Sequence, residues 1–309
     1  MRVPLISFIY LISISIGNYN VVYGQADPTA APKINAFNLS ADNLGAVANA
    51  VNLFTGSVNL PMNLTSLPSK NGLNIDVSIF YNSNVRNQVD IHNLEAPTGV
   101  LGLGWSLPIS QIVVDNKLTG NRKDDEFYLI EGGSSTKLVC VGINGSTKTY
   151  KAKTFQNWII TYTASQEKWE VIKDDGVKYV YGDQSSGRNT VQWIVKWGNW
   201  IGNSALATGQ QRQGVTWNIS EIIGLMGDKI QYTYENVENR VGSSGLYHTE
   251  ASYLRFIEDS WGNEVELIYG NKATGEFVEP HTEAVEPDAY QERYEKKFIE
   301  KIKVTTYGV

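Results

Sequence analysis

Alternation of apolar and polar residues with a period of two restricts the fold of this chain more than any other feature. Between Leu73 and Tyr81 every odd-numbered residue is apolar, which is the pattern of a half-buried β-strand. Similar runs follow along the chain: Ile109–Val114, Phe127–Ile130, Lys137–Val141, Trp158–Tyr162, Trp169–Ile172, Val177–Tyr181 and Val191–Trp197. We therefore predict an all-β fold built from antiparallel hairpins.

The composition supports strands and excludes several classes of partner. The 309 residues include 17 Tyr, 8 Trp and 28 Gly, and aromatic residues separated by glycine turns are typical of β proteins. The net charge of −6 provides no basic field, so nucleic acid is not expected as a partner. Helical spacing occurs only near the end, at Tyr290, Tyr294 and Phe298, and predicts a short helix near residues 286–298.

Residues 1–24 have the pattern of a signal peptide. Arg2 supplies a positive charge, Val3–Ile16 is apolar, and Gly24 is a small residue at the expected cleavage point. The alternative is an uncleaved anchor, but the apolar run is shorter than the roughly 20 residues that cross a bilayer. We expect a secreted, extracellular or cell-surface protein, with residues 25–50, rich in Ala, Pro and Asn, forming a linker. No membrane span is expected after cleavage.

Residues that could carry redox or metal chemistry are few and scattered. Cys140 is the only cysteine and is predicted to be a buried small apolar residue, with a nucleophile or an interchain disulfide as alternatives. The histidines, His92, His248 and His281, do not have metal-ligand spacing. The acidic run 124–126 lacks the order of a calcium loop. We predict no metal, no cofactor and no catalytic residue.

Two segments of the second half repeat each other. Residues 222–234 and 257–269 both contain Gly followed by Asp or Asn and then an alternating run, and residues 175–181 form a looser third copy. The matched positions are Gly227 with Gly262 and Tyr234 with Tyr269. Gly and Asx residues tolerate positive φ, so each unit predicts a tight turn and a returning strand. Repeated units of this kind stack into one sheet, although two ordinary hairpins could also match by coincidence.

These units resemble the YD or RHS repeats of bacterial toxins and surface proteins. Three earlier segments, 52–61, 79–83 and 98–108, follow the order found in the N-terminal domain of SpvB-like and insecticidal toxin complex B-type proteins. The most specific of their motifs is Gly-Leu-Gly-Trp-Ser-Leu, which contains Gly102, Gly104 and Trp105. The resemblance implies a β-rich wall of a hollow shell around a separate toxic domain. It also implies a role in virulence, with other parts of a longer RHS/YD protein or toxin-complex subunits as partners.

The resemblance divides the chain into segments. It covers residues 51–185 as a toxin-complex-like β domain and residues 217–309 as YD/RHS-like repeats, which we expect to be truncated. Residues 186–216 form a Trp-rich insert or connection that matches neither part, and the acidic segment 276–295 also fits no part of the pattern. The expected function is therefore that of an exported, non-enzymatic scaffold segment.

Two other functions remain open. The glycines at 99, 102 and 104 do not form a phosphate loop, because no Gly-Lys-Ser/Thr follows, and we expect their turn to carry Trp105 into the core. Trp200 lies in a Gly-Asn-Trp-Ile-Gly turn and could form a platform for a surface glycan, whereas Trp193, in an alternating run, is expected to be buried. A hydrolase with an unrecognised carboxylate pair is the weakest alternative; Glu264 and Glu266 are expected on a solvent face.

Overall fold

The computed structural model describes residues 58–83, 99–115, 124–154, 156–196, 211–241, 245–273, 291, 293 and 295–307. The predicted signal peptide, the linker, His92, His281 and Trp200 lie outside these ranges. The strands are β1 (Asn59–Pro68), β2 (Asn74–Asn82), β3 (Trp105–Ser106), β4 (Gln111–Asp115), β5 (Glu126–Glu131), β6 (Ser134–Asn144), β7 (Thr147–Ala152), β8 (Ile159–Thr163), β9 (Lys168–Ile172), β10 (Lys178–Gly182), β11 (Val191–Lys196), β12 (Gln211–Ile223), β13 (Lys229–Arg240), β14 (Tyr247–Asp259), β15 (Glu264–Asn271) and β16 (Lys297–Thr305).

The described part of the chain confirms the all-β prediction. Its helical elements are three short 3-10 turns, and its strand pairings are antiparallel. Most of the predicted helix near residues 286–298 lies outside the described residues. Its last two residues, Lys297 and Phe298, begin β16, so the helix prediction is wrong there. Alternation of Ile299, Ile302 and Val304 toward the core is what makes this segment a strand.

Eight strands form a sheet that closes on itself, which we call the ring. Strands β4 to β10 pair with one another in chain order, and β12 closes the ring by pairing with β4 and with β10. Different stretches of β12 make these two contacts: Thr216–Asn218 faces β4, and Ile219–Ile223 faces β10. A closed sheet has no free edge, because every strand has a neighbour on both sides.

The remaining strands of the large sheet form an open arm. Strand β12 leaves the ring by pairing with β13, and β14, β15 and β16 follow in order. A separate sheet of β1, β2 and β3 contributes Ile75 and Val77 to the core of the arm. These two residues belong to the predicted alternating run, and only 1% and 2% of their surface is exposed. The arm therefore has a core between two sheets, whereas the ring has a core inside itself.

The two repeated segments form the same hairpin. In each, the first turn residue donates its N–H to the carbonyl of the fifth: Gly224 to Asp228 at 2.9 Å and Asp259 to Asn263 at 3.0 Å. The hydroxyls of the matched tyrosines then donate to matched carbonyls, Tyr234 to Ile219 at 3.0 Å and Tyr269 to Leu254 at 2.7 Å. The looser third copy makes the same turn, with Lys173 donating to Val177 at 3.1 Å.

The glycine of each turn carries the positive φ: Gly176 has φ 78°, Gly227 84° and Gly262 88°. The neighbouring Asp228 and Asn263 do not have positive φ, so only the glycine needs the left-handed conformation that other residues avoid. The turn is therefore a three-residue loop with a left-handed glycine at its end. Within the described residues, no helix is long and apolar enough to cross a membrane.

Candidate functional site

The interior of the ring is filled by aromatic side chains. Trp169 and Trp217 are both 0% exposed, and their ring centroids lie 5.8 Å apart. The ring centroid of Tyr162 lies 4.6 Å from that of Trp169, and the ring centroid of Tyr150 lies 4.7 Å from it. Phe127 completes the cluster at 5.1 Å from Trp169. Rings at these separations are in contact, so the ring interior is a packed core and offers no room for a ligand.

Glu167 is the polar anchor of this aromatic core. Its Oε2 accepts hydrogen bonds from the Tyr162 hydroxyl at 2.5 Å and from the Trp217 indole at 3.0 Å. A carboxylate that accepts two donors stabilises their orientation more strongly than a neutral acceptor would. Two glycines leave the space: a Cβ on Gly182 would lie 2.6 Å from Trp217, and one on Gly214 would lie 2.9 Å from the Glu167 carboxylate. The sequence analysis did not predict this arrangement, because Glu167, its two hydrogen-bond donors and the two glycines come together only when the sheet closes.

The glycine-rich motif forms a turn between the small sheet and the arm. Gly102 has φ 81° and Gly104 has φ 80°, and the carbonyl of Gly104 accepts the N–H of Asn82 at 2.8 Å. The turn leads into strand β3, which agrees with the exclusion of a phosphate loop. The prediction that Trp105 would enter the core is wrong: it is half-buried, and its ring lies 4.9 Å from that of Tyr81. Strand β3 has only two residues, so it places the indole at the margin of the small sheet.

The other predicted residues are spread over the molecule. Trp193 is buried, as predicted, whereas Cys140 is exposed, which contradicts its predicted burial. The physical reason is that the second half of β6 extends beyond the core, because every residue from Val139 to Asn144 is exposed, whichever face it lies on. His248 is buried, and its Nδ1 lies 3.1 Å from the carbonyl of Asn239. No group of metal-binding side chains occurs in the described ranges.

The predicted solvent-facing carboxylates lie on the outer face of the arm. Glu266 is ion-paired with Arg255 at 3.5 Å and with Lys303 at 3.7 Å. Glu264 lies on the same strand, opposite Thr305 of β16. Both side chains are half-buried rather than fully exposed. Because Glu266 is held between two cations on a sheet face, these contacts are those of a surface ion pair.

A polar cavity of about 390 Å³ lies beside Trp193, where β11 meets the loop that precedes it. Arg212 covers the indole, with its guanidinium carbon 4.7 Å from the ring centroid, and forms an ion pair with Glu238. Asn189, which also lines the cavity, has φ 56°, a left-handed conformation that is rare outside glycine. Asn236 donates to the Val191 carbonyl at 3.1 Å. Planar polar side chains around an aromatic ring are the chemistry that recognises sugar hydroxyls.

A second cavity, of about 260 Å³, lies beneath the glycine-rich turn. Trp105 and Tyr269 line it together with the carboxyl of Glu295. Burial raises the pKa of Glu295 above its usual value, and the nearby Lys272 opposes that effect only in part. Glu295 belongs to the acidic segment that fitted no predicted pattern. No local signal in the sequence could have placed it, because the glycine-rich turn lies almost 200 residues earlier in the chain.

Comparison with known proteins identifies similar structures but no sequence relative. No family model matches the chain, and no curated protein matches it. The N-terminal domain of the effector protein SpvB from Salmonella typhimurium strain LT2 is similar at 15% identity, with 72% of this chain and 77% of that chain covered and a TM-score of 0.42. The TcdB2-TccC3 structure is similar at 16% identity and a TM-score of 0.47.

The described chain matches only a small part of the larger structures. It covers 11% of the TcdB2-TccC3 chain, and the same share of a chain in the Photorhabdus luminescens Tc holotoxin pore, at 14% identity and a TM-score of 0.47. In each case 71% of this chain is covered. The chain thus resembles SpvB and toxin-complex proteins, the class that its sequence motifs predicted.

Proposed function

We propose that this chain is an exported, non-enzymatic scaffold segment of an RHS/YD-type toxin or surface protein, and that it forms part of a β shell. The observation that carries the proposal is that, among the described residues, the sheet has one closed end and one open end. The ring gives the sheet a stable closed end, and β16 ends the strand order at the other. A protein that builds a wall needs both a rigid unit and an edge at which the wall continues.

The edge of β16 is suited to accept another strand. Among the described strands β16 pairs with β15, and on its other side the Ile299 N–H donates to the Val100 carbonyl at 2.8 Å. An edge strand presents unpaired backbone groups to which a further strand can bind. Lysine side chains often block such edges, but Lys297 and Lys303 form ion pairs with Glu235 and Glu266. Those two lysines therefore lie on the sheet face rather than across the edge.

The proposal is tested by site-specific photocrosslinking in the protein secreted by its natural host. A photoreactive amino acid at Lys301, which is exposed on β16, should crosslink to a strand of the same longer polypeptide or of a toxin-complex subunit. The matched control is the same probe at Lys151, which is exposed on the ring strand β7. Equal crosslinking from both positions, or none from Lys301, would contradict a continuing wall.

Export is part of the proposal and has its own test. The charge at Arg2 and the apolar run Val3–Ile16 support recognition as a signal peptide. N-terminal sequencing of protein recovered outside the cell should find a mature chain that begins near Gln25. A chain that retains Met1, or that stays in the cytoplasm, would contradict export.

Glycan binding is a second candidate function, favoured by the polar cavity beside Trp193. Asn189→Gly removes an amide from the cavity while keeping the left-handed backbone, because glycine adopts φ near 56° without strain. Asn71→Gly is the matched control, since Asn71 has φ 60° and does not line the cavity. A glycan array should show binding that Asn189→Gly weakens and Asn71→Gly retains. Trp200→Ala tests the other candidate, the Trp200 platform predicted from the sequence: glycan binding at the cavity should not change in this variant.

A further inference from the structure

The cavity beneath the glycine-rich turn contains an acidic group that the described part of the fold leaves without a direct ion pair. The Glu295 carboxyl forms no hydrogen bond or ion pair with another side chain of the described residues. Lys272 is a nearby cation, and its Nζ donates to the backbone carbonyl of Glu295 at 2.8 Å. Moving an ionised carboxyl into a partly buried position without a partner is unfavourable. A cationic ligand would relieve that cost.

The neighbouring lysines are already engaged elsewhere. Lys296 contacts Glu250, with Nζ and Oε1 3.5 Å apart. Lys297 pairs with Glu235 and lies 5.2 Å from the centroid of the Tyr253 ring. Both lysines therefore lie close to the cavity but form ion pairs with acids other than Glu295. The carboxyl of Glu295 remains available to a group that enters from outside.

The walls of the cavity offer aromatic surface, and the hydroxyls of the serines and tyrosines that line it already make hydrogen bonds within the protein. The Tyr253 hydroxyl accepts the backbone N–H of Lys296 at 3.0 Å, and the Tyr269 hydroxyl donates to the Leu254 carbonyl at 2.7 Å. Both phenols stay neutral in ordinary conditions, because burial raises the pKa of Tyr253 to about 12 and raises that of Tyr269 further. The half-buried indole of Trp105 lines the same cavity. Neutral aromatic rings attract organic cations through their negatively polarised faces.

Gly99 keeps the space beside the carboxyl open. A Cβ at this position would lie 3.8 Å from Oε2 of Glu295 and 3.7 Å from the carbonyl oxygen of Trp105. Gly99 has φ 71°, a conformation that glycine adopts without strain. The turn that the sequence motif encodes thus brings the indole to the cavity and leaves the carboxyl accessible.

We propose that this cavity binds an alkylammonium group, either the quaternary ammonium of a small molecule or the side-chain ammonium of a peptide lysine. Glu295 supplies the opposite charge, and the rings of Trp105 and Tyr269 supply the apolar and cation–π surface. A volume of about 260 Å³ accommodates such a head group but not a larger ligand. A metal ion is a poor fit, since hard cations require several oxygen ligands and this cavity offers one carboxyl.

The test is a titration of the intact protein with tetramethylammonium chloride and with N-acetyl-lysine methylamide, followed by Trp fluorescence and calorimetry. At least one of the two should bind, and Glu295→Gln should weaken that binding by about tenfold or more. Glu258→Gln is the matched control, because Glu258 is exposed on β14 and does not line the cavity. Tighter binding of the first probe indicates a free quaternary ammonium compound, and tighter binding of the second indicates a peptide.

A requirement for positive charge on the ligand distinguishes this proposal from nonspecific binding of an apolar group in the cavity. The neutral isostere 3,3-dimethylbutanol should bind much more weakly than tetramethylammonium. Glu295→Gln should unfold at a temperature equal to or above that of the parent chain, since it removes a desolvated charge, so a loss of binding cannot be attributed to unfolding. Absence of binding by both cations at 10 mM concentrations, on the order of the weakest cation–π affinities, overturns the proposal. Equal binding to the parent chain and to Glu295→Gln also overturns it.

Discussion

The ring and the arm are built from the same hairpins but satisfy their backbones in different ways. The ring closes through β12, so each of its strands has two neighbours, and its aromatic core lies inside the sheet. The arm ends at β16, and its core lies between one of its faces and the small sheet. The comparison shows that the hairpin unit does not decide closure. Closure requires a strand that is long enough to pair with two partners along its length, and both partners must belong to the ring, as β4 and β10 do.

Strand β12 provides that length. It has 13 residues, pairs with β11 and β4 in its first part, and pairs with β10 and β13 in its second part. Its matched partner in the repeat, β14, also has 13 residues, but it pairs with β13 and β15. Equivalent strands therefore have different neighbours, and the glycines around Trp217 account for part of the difference.

The largest expected effect comes from Gly182, which lies where β10 meets β12. A Cβ there would lie 2.2 Å from the Glu167 carbonyl oxygen, a backbone atom that also accepts the N–H of Asp183. Gly182→Ala should destabilise the protein by about 3 kcal/mol or more, through overpacking and through an unfavourable φ of 73°. Chemical denaturation monitored by Trp fluorescence measures this change.

Gly187→Ala is the matched control for closure. Gly187 has φ 71°, almost the same conformation, but a Cβ there has no atom within 4 Å. It should cost only about 1 kcal/mol, the cost of the left-handed conformation alone. Equal losses for both variants would mean that backbone conformation, and not closure of the ring around Trp217, determines the effect.

A smaller effect distinguishes the two tyrosines of the repeat. Tyr234 is 2% exposed, and Tyr234→Phe leaves the Ile219 carbonyl without that donor in a buried position. The expected loss is about 1 to 2 kcal/mol. Tyr269→Phe removes the equivalent bond to Leu254 where the tyrosine is only half-buried, so its loss should be below about 1 kcal/mol. The reverse order in urea unfolding would contradict the difference in burial between the two hairpins.

The smallest expected effect concerns the turn of the arm. Burial alone would raise the pKa of Asp259, but hydrogen bonds from Asn263 and Trp261 outweigh it, so the pKa is lowered. The stabilisation is therefore present above the unfolded pKa near 3.8 and is lost as the pH falls through the folded value. Asp259→Ala should cost about 0.5 kcal/mol at pH 7, and the cost should shrink in acid.

The hairpin of β12 and β13 provides the comparison, because Gly224 occupies the position of Asp259 there and has no side chain. A pH series of unfolding free energies for Asp259→Ala and the parent chain measures the effect, and parallel curves between pH 2 and pH 7 would show that the carboxyl does not stabilise the turn.

Local features of the fold could be predicted from the sequence, whereas its closure could not. The alternation of apolar and polar residues predicted β2 and most strands of the ring, and the repeated Gly-Asx segments predicted two matching hairpins. Both signals depend only on residues that are close in the sequence. The burial of Cys140 was predicted wrongly, since a local sequence pattern does not reveal that the second half of β6 extends beyond the core. Pairing of β12 with β4 joins residues about 100 positions apart, and no local pattern encodes it.

The candidate sites follow the same division. The glycine-rich turn could be predicted from its sequence motif, but the half-buried position of Trp105 depends on a strand of only two residues. Glu295 reaches the cavity from the acidic segment 276–295, which fitted no part of the predicted pattern. Glu167 could not be distinguished from other surface acids, because its donors, Tyr162 and Trp217, come from two different strands.

Hydrogen exchange followed by mass spectrometry tests the central claim, a closed ring joined to an open edge, most directly. The account predicts that amides of β7, β8 and β9 exchange only through global unfolding, whereas alternate amides of β16 exchange much faster than those of its neighbour β15. Protection of β16 equal to that of the ring strands would show that its edge is already covered, and would contradict a scaffold whose sheet continues there.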